Sequence, residues 1–278
     1  MIPGQVRLLH LSDIHCGRPF VEQHMEAAFA VAKSMPFDAI VLSGDLTQRA
    51  RKHEFLQARA ILGRLEKIAP TLVIPGNHDV QWWKSPFGIG DRSSVHERWR
   101  TFVQQETDPT LAVPGAKIVG MNSAAGTMPW TLTFYPRDWR VKGGVTRQQL
   151  ENAQERMAST PEGHLRVLVV HHNVLRGRLS NRWGLARPNR TLDAIAAMQP
   201  HIVCTGHDHE ERLEIVSRGG TQFMVATANT LSSRMRGKRA SSFNVIEWDG
   251  KALRATAWLF DEQSKHFHAG DFEHIVLG

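Results

Sequence analysis

The chain reads as an α/β fold, and three observations predict it. Short apolar runs at Val6 to Leu11, Ala39 to Leu42 and Thr71 to Ile74 alternate with stretches of helical periodicity, the βαβ rhythm of a parallel sheet. Beyond His209 that rhythm gives way to strands joined by turn signals such as Gly219-Gly220 and Asp249-Gly250, which predicts a second, largely antiparallel sheet. With 278 residues and 41% hydrophobic content, a single large domain spanning 1–278 is the simplest organisation.

Each element has its own warrant. Val21, Met25, Ala28, Phe29 and Ala32 follow helical spacing, as do Phe55, Ala58, Leu62 and Leu65, so each of these stretches should cover a sheet face. Thr146, followed by Gln149 and Leu150, opens a polar helix to about Met157. Leu165 to Val170 and His201 to Thr205 are further buried strands. Leu213 to Val216, Thr221 to Thr227, Phe243 to Trp248 and Leu253 to Phe260 form the later set. Two long loops remain, Gln81 to Gly90 with Trp82, Trp83 and Phe87, and Thr127 to Gly144 with Trp130 and Trp139. Long loops in compact domains are often functional, so both are candidate walls of a pocket; a satellite hydrophobic cluster is the plainer reading of their aromatics.

Five blocks carry the chemistry: Asp13-Ile14-His15, Gly44-Asp45, Gly76-Asn77-His78-Asp79, His171-His172 and Gly206-His207-Asp208-His209. Each follows an apolar run, and strand C-terminal ends share one edge of a layered α/β fold, so residues far apart in sequence meet there. Asp, His and Asn offer the oxygen and nitrogen ligands that divalent Mn, Fe, Zn or Co accept. Gly44, Gly76 and Gly206 each precede a ligand residue or block, which suggests tight turns that aim the next side chain inward. In His207-x-His209, alternate residues of an extended segment would leave on one side, each toward a different ion.

These blocks, in this order, resemble the signature of the calcineurin-like metallophosphoesterase superfamily. The layout looks most like the bacterial class III cyclic-nucleotide phosphodiesterases and their glycerophosphodiesterase relatives. The resemblance implies a four-layer fold of two packed mixed sheets flanked by helices, and a dinuclear metal centre. Asp13, His15, Asp45 and His209 would hold one ion, and Asp45, Asn77, His171 and His207 the other, with manganese the metal best placed to support activity. Two metals lower the pKa of a bridging water and clamp the phosphate. His78 would protonate the leaving group, with Asp79 orienting its second ring nitrogen. His172 would face substrate or support His171, although a one-residue shift of register would exchange the two.

The chain departs from its relatives after His171-His172, where Asn173-Val174 replaces their usual Pro-Pro. An arginine-rich segment follows: Arg176, Arg178, Arg182, Arg187 and Arg190, with Trp183 among them and no acidic residue. Arg234, Arg236, Lys238 and Arg239 form a second basic stretch. Without these nine the chain would hold 25 basic residues against 27 acidic, so the net charge of +7 resides in two loops. An anionic substrate gripped by Arg178, Arg182, Trp183 and Arg187 would explain them, as would a solvated basic surface.

The leading expectation is therefore a soluble phosphodiesterase acting on a small anionic phosphodiester, with cyclic nucleotides among the candidates. A metal-dependent nuclease or nucleotide-processing phosphoesterase, whose basic loops could track a phosphate backbone, is the alternative, and a non-catalytic scaffold of the same fold comes third because every expected ligand is present. No apolar stretch of spanning length occurs and no leader precedes the first strand, so a cytoplasmic protein is expected. Cys16 and Cys204 read as reduced thiols rather than a disulfide, and the oligomeric state is left open.

Overall fold

The computed structural model describes residues 5–131, 141–237 and 239–277. Trp139 and Lys238 lie outside the described residues. In chain order the first half runs β1 (Val6–Leu11), α1 (Glu22–Ser34), β2 (Ala39–Leu42), α2 (Lys52–Leu65), β3 (Thr71–Val73), α3 (Glu97–Phe102), β4 (Thr110–Val113) and β5 (Ala116–Met121). It continues with α4 (Arg147–Ala158), β6 (Leu165–Val170), α5 (Pro188–Ala197), β7 (Ile202–Thr205), β8 (Arg212–Arg218) and β9 (Thr221–Thr227). The last three strands are β10 (Ser242–Trp248), β11 (Ala252–Asp261) and β12 (His266–Val276).

Two six-stranded sheets result, in the orders β12-β11-β10-β1-β2-β3 and β4-β5-β6-β7-β9-β8. Side chains alternate across each strand, and the alternation divides three cores. Leu8, Val41 and Leu72 face inward against Val167, Ile202, Met224 and Ala226 of the other sheet. Their neighbours Leu9, Leu11, Ile40 and Leu42 face outward onto Met25, Phe29, Phe55 and Leu62 of α1 and α2. On the far side, Leu168, Val170 and Val203 meet Ala153, Met157, Leu192 and Ile195 of α4 and α5. Strands buried on both faces read as continuous apolar runs, which is why β1, β2 and β6 are legible in the sequence. The four-layer α/β/β/α architecture agrees with the expectation.

The strands after His209 do not build a sheet of their own. β8 and β9 extend the parallel run β5-β6-β7, with β9 parallel to β7 and β8 antiparallel to β9. β10, β11 and β12 extend the other sheet, β10 running antiparallel to β1 in the register Val6↔Trp248 to His10↔Asn244. Both sheets are therefore mixed. Two open strand edges, on β1 and β7, present unpaired backbone groups inside an otherwise buried layer, and the C-terminal strands satisfy them.

Cys16 and Cys204 are buried free thiols. Among the described residues no helix is long and apolar enough to cross a membrane.

Phe55 is fully buried where α2 packs on the sheet that carries the loop after β2. Phe55→Ala should lower unfolding free energy by about 3–5 kcal/mol, read as a fall in the denaturant midpoint at constant slope.

Candidate active site

The ligand blocks lie at the C-terminal ends of strands from both sheets. Asp13 and His15 follow β1, Asp45 follows β2, and Asn77 and His78 follow β3; His171 follows β6, and His207 and His209 follow β7. The first two loops continue the strand pairing beyond the sheet, with Asp13 N–H donating to Gly44 O at 3.1 Å and His15 N–H to Asp45 O at 3.0 Å. Five of the seven proposed ligands adopt positive φ: Asp13, His15, Asp45, His207 and His209. Backbone strain of this kind gathers at functional sites, where the surrounding structure holds it in place.

That finding revises the reading of the glycines. Gly44 does adopt φ +104°, and a Cβ there would lie 2.6 Å from His171 Nδ1. Gly76 has an ordinary φ of −100° and is required for proximity, since its Cβ would stand 2.1 Å from Asp45 Oδ1. His207 and His209 are not alternate residues of an extended strand. Each bends through positive φ, which turns His207 toward Asn77 and His209 toward Asp13 and His15.

Two clusters of inward-facing atoms form. His209 Nε2 lies 3.0 Å from Asp13 Oδ1 and 3.2 Å from His15 Nε2. In the other, Asn77 Oδ1 is 3.2 Å from His171 Nε2 and 3.0 Å from His207 Nδ1. Asp45 Oδ2 stands between them, 3.7 Å from His15 Nε2 and 3.4 Å from His171 Nε2. Asp13, His15, Asp45 and His209 can converge on one cation. His171, His172 and His207 also gather, but His172 directs Nε2 at Val141 O (3.0 Å) and Nδ1 at Ser123 Oγ (2.7 Å). Both His172 nitrogens are thus committed to the protein, and its fully buried ring packs against His171 and His207 rather than opening to solvent.

The hydrogen bonds around these clusters test whether cations fit. His171 Nδ1 donates to Ser43 O at 2.7 Å and His209 Nδ1 to Arg234 O at 2.7 Å, so a neutral ring leaves a lone pair on each Nε2. Asp13 Oδ2 accepts from Ser12 Oγ and from His207 N–H, whereas the buried Oδ1 receives no hydrogen bond. Asp45 Oδ1 accepts from His78 N–H, which leaves Oδ2 facing two imidazoles. Lone pairs therefore face lone pairs, an arrangement that divalent cations satisfy.

The protonation tendencies express the same demand. Burial alone would raise the carboxyls, yet His209 and His15 hold Asp13, and His171 and His78 hold Asp45, well below the usual carboxylate range. Burial pushes His15 down to about 4, even with Asp13 and Asp45 beside it. It also opposes charge on His171, but Asp45 outweighs it and raises that imidazole to about 9.

Asp79 departs from its expected role. Its Oδ2 accepts from Leu46 N–H (3.1 Å) and Gly76 N–H (2.9 Å), and its Oδ1 from Thr47 N–H (2.8 Å) and Thr47 Oγ1 (2.9 Å). With four donors it pins the loop after β2 to the loop after β3 and has no capacity left for His78. Burial and the nearby Asp45 charge push this carboxyl up to about 7 against those bonds. His78 is oriented instead by Gln48, whose carbonyl oxygen lies 2.6 Å from Nδ1.

A cleft of about 500 Å³ opens beside His78, walled by Gln48, Arg49, Val80, Trp82, Trp83 and Arg234. Trp82 and Trp83 meet edge to face, and Trp83 is half exposed. The loop Gln81 to Gly90 thus does wall the pocket. The arginine-rich segment is divided. Arg182 and Trp183 share a cavity of about 150 Å³ with His207 and Asp208, Arg178 pairs with Glu214 at 2.8 Å, and Arg187 opens α5 and lines a separate cavity with Arg147 and Arg190. The acids that answer this segment and the second basic stretch come from 208–214, since Arg236 pairs with Asp208 and Arg239 with Glu211. Charge counted along the chain misses partners supplied by the neighbouring strand.

Arg234 and Gln48 belong to this site and were not singled out by sequence. Arg234 was visible only as one of a basic run, and nothing in its spacing distinguishes it.

A family model described as calcineurin-like phosphoesterase matches residues 6–211, which take in all seven proposed ligands. The chain belongs to the calcineurin-like phosphoesterase family. Members depend on a dinuclear metal centre, and this chain is accordingly a metal-dependent phosphoesterase. It is 24% identical over 223 residues to the 3',5'-cyclic adenosine monophosphate phosphodiesterase CpdA of Escherichia coli (strain K12), covering 75% of this chain and 71% of that one. Among solved structures it is similar to purple acid phosphatase PPD1 from yellow lupin (Lupinus luteus) seeds, with a TM-score of 0.68 and 12% identity. That alignment covers 99% of this chain but only 55% of the lupin chain. PhoD gives a TM-score of 0.67 and 10% identity, covering 98% of this chain and 70% of its own. These structural likenesses establish the fold.

Asp45→Asn should remove occupancy from both metal positions, because the carboxylate oxygen lies between the clusters; elemental analysis showing two full-occupancy ions would refute the shared ligand. Gly76→Ala should act on the same atom indirectly, displacing Asp45 and lowering metal content while the far-ultraviolet dichroism stays that of the folded chain.

Proposed function

We propose that this phosphoesterase hydrolyses small phosphodiesters, with 3',5'-cyclic nucleotides the first class to test. The carrying observation is a two-cluster site sharing Asp45, with His78 at the mouth of a cleft walled by two tryptophans. A phosphodiester places an organic group on each side of phosphorus, and the cleft beside His78 offers an apolar surface for one of them. The similarity to CpdA points in the same direction, and a cytoplasmic location would suit that substrate class.

When bound, two divalent cations would supply a nucleophilic hydroxide at neutral pH and neutralise charge on the phosphoryl oxygens. Asp13, His15, Asp45 and His209 would hold one, and Asp45, Asn77, His171 and His207 the other. Asp45, whose Oδ2 faces both His15 and His171, would offset part of the repulsion between them. Ser43 and Arg234 carbonyls fix the tautomers of His171 and His209 so that each presents its Nε2 lone pair inward. Gln48 O likewise holds the Nδ1 proton of His78, leaving Nε2 as the atom that takes up a proton from solvent and, in the imidazolium form, passes it to the departing oxygen.

The nuclease reading loses its main support, because Arg178, Arg236 and Arg239 each face a carboxylate and offer a strand less net charge than the sequence suggested. Arg182 and Trp183, beside His207, are better placed to touch the far end of a small substrate than Arg178 or Arg187.

His78→Ala should lower kcat by about 10²–10⁴-fold for an alkyl leaving group and far less for a p-nitrophenyl one, with metal content unchanged. Equal losses on both substrates would assign His78 to binding rather than proton delivery.

A further inference from the structure

We propose that Arg234 is a catalytic residue whose guanidinium binds a phosphoryl oxygen of the substrate anion; this rests on the phosphoester reading of the site. Its main chain is locked to the site, since its N–H donates to Ser232 Oγ at 3.2 Å and its carbonyl accepts from His209 Nδ1 at 2.7 Å. From there the side chain crosses to the other strand ends. Nη1 lies 2.9 Å from His78 Nε2, 3.3 Å from Gln48 Oε1 and 3.5 Å from His15 Nδ1.

None of these is a charged acceptor. Arg236 and Arg239 of the same stretch face Asp208 and Glu211, whereas no carboxylate is paired with Arg234 among the described residues. The contact with His15 is weaker still, because a ring that turns its Nε2 lone pair toward Asp13 and Asp45 keeps its proton on Nδ1 and cannot accept. A half-buried guanidinium is thus held beside His15 of the first ligand cluster by a neutral imidazole and an amide oxygen. Its planar fork has donors to spare, and a phosphate oxygen is a far stronger acceptor than either of them. When phosphate enters, the guanidinium moves onto it, and His78 Nε2 is uncovered to take up a solvent proton and pass it to the ester oxygen.

Titration of inorganic phosphate into the manganese-loaded protein by calorimetry reads this contact without turnover. Arg234→Gln should weaken phosphate binding by about tenfold to a hundredfold, the range of one charge-assisted hydrogen bond. It should reduce kcat/KM for bis(p-nitrophenyl) phosphate by a similar factor and retain two manganese ions. Arg234→Lys should recover part of both losses. Phosphate affinity unchanged in Arg234→Gln would overturn the assignment, as would loss of manganese from both variants, which would make Arg234 a structural support of His209. A wild type that binds phosphate through Arg234 yet cleaves no phosphoester would refute the reading of the site and uphold this contact.

Discussion

The structure is organised around a buried excess of lone pairs. Asp13, His15, Asp45 and His171 are fully or almost fully buried, and their inward atoms face one another rather than donors. Burying such groups without a counter-charge is unfavourable, and several of the nearest donors are engaged elsewhere. The Nδ1 protons of His171 and His209 are tied to carbonyls, and the N–H of His78 is spent on the outer oxygen of Asp45. What is left is a cavity whose electrostatics call for cations.

The fold supplies the stiffness that such a site needs. Five ligands sit in left-handed backbone, a conformation that relaxes unless neighbours forbid it. Here the prohibition comes from three apolar layers and from Asp79, which joins the loops after β2 and β3 through four hydrogen bonds. The ligands come from both sheets, with Asp13 to Asn77 from one and His171 to His209 from the other. Asp45 facing His171 therefore spans the seam between the two sheets.

The parts of this arrangement that were legible in the sequence are those with a short-range signal. Strands buried on both faces, such as β1, β2 and β6, are unbroken apolar runs, and α4 declares itself through Thr146 and Gln149, which form a reciprocal cap. The ligand blocks are compact and ordered, so resemblance located them. β12 escaped because it is a largely exposed edge strand rich in His, Asp and Glu, and α5 was masked because it starts at the end of the arginine-rich segment, with Leu192, Ile195 and Ala196 carrying its buried face just beyond. Sheet membership of the C-terminal strands depends on which edge is vacant, a property of the assembled layer that no local pattern encodes. Asp79 was misjudged for a related reason: adjacency to His78 suggested a partner, whereas the three-residue turn Asn77–Asp79 directs its carboxylate away, to Leu46, Thr47 and Gly76. Arg234 shows the opposite limit, a residue with no motif at all that becomes conspicuous only when the charges around it are paired.

The pairing of β1 with β10 bears on how the chain is made. β1 leaves the ribosome well before its antiparallel partner, since Leu8 lies opposite Ile246, far later in the chain. The parallel partner β2 arrives early and covers one side of β1, while the other side stays open until β10 has been synthesised. The strands β5 to β9 that hold His171, His207 and His209 are complete before that moment. Translation thus delivers the two halves of the ligand set at different times, and an apolar edge stays exposed between them, the kind of edge that recruits unwanted strands. A nascent chain of this topology needs shelter for β1 until β10 has been made.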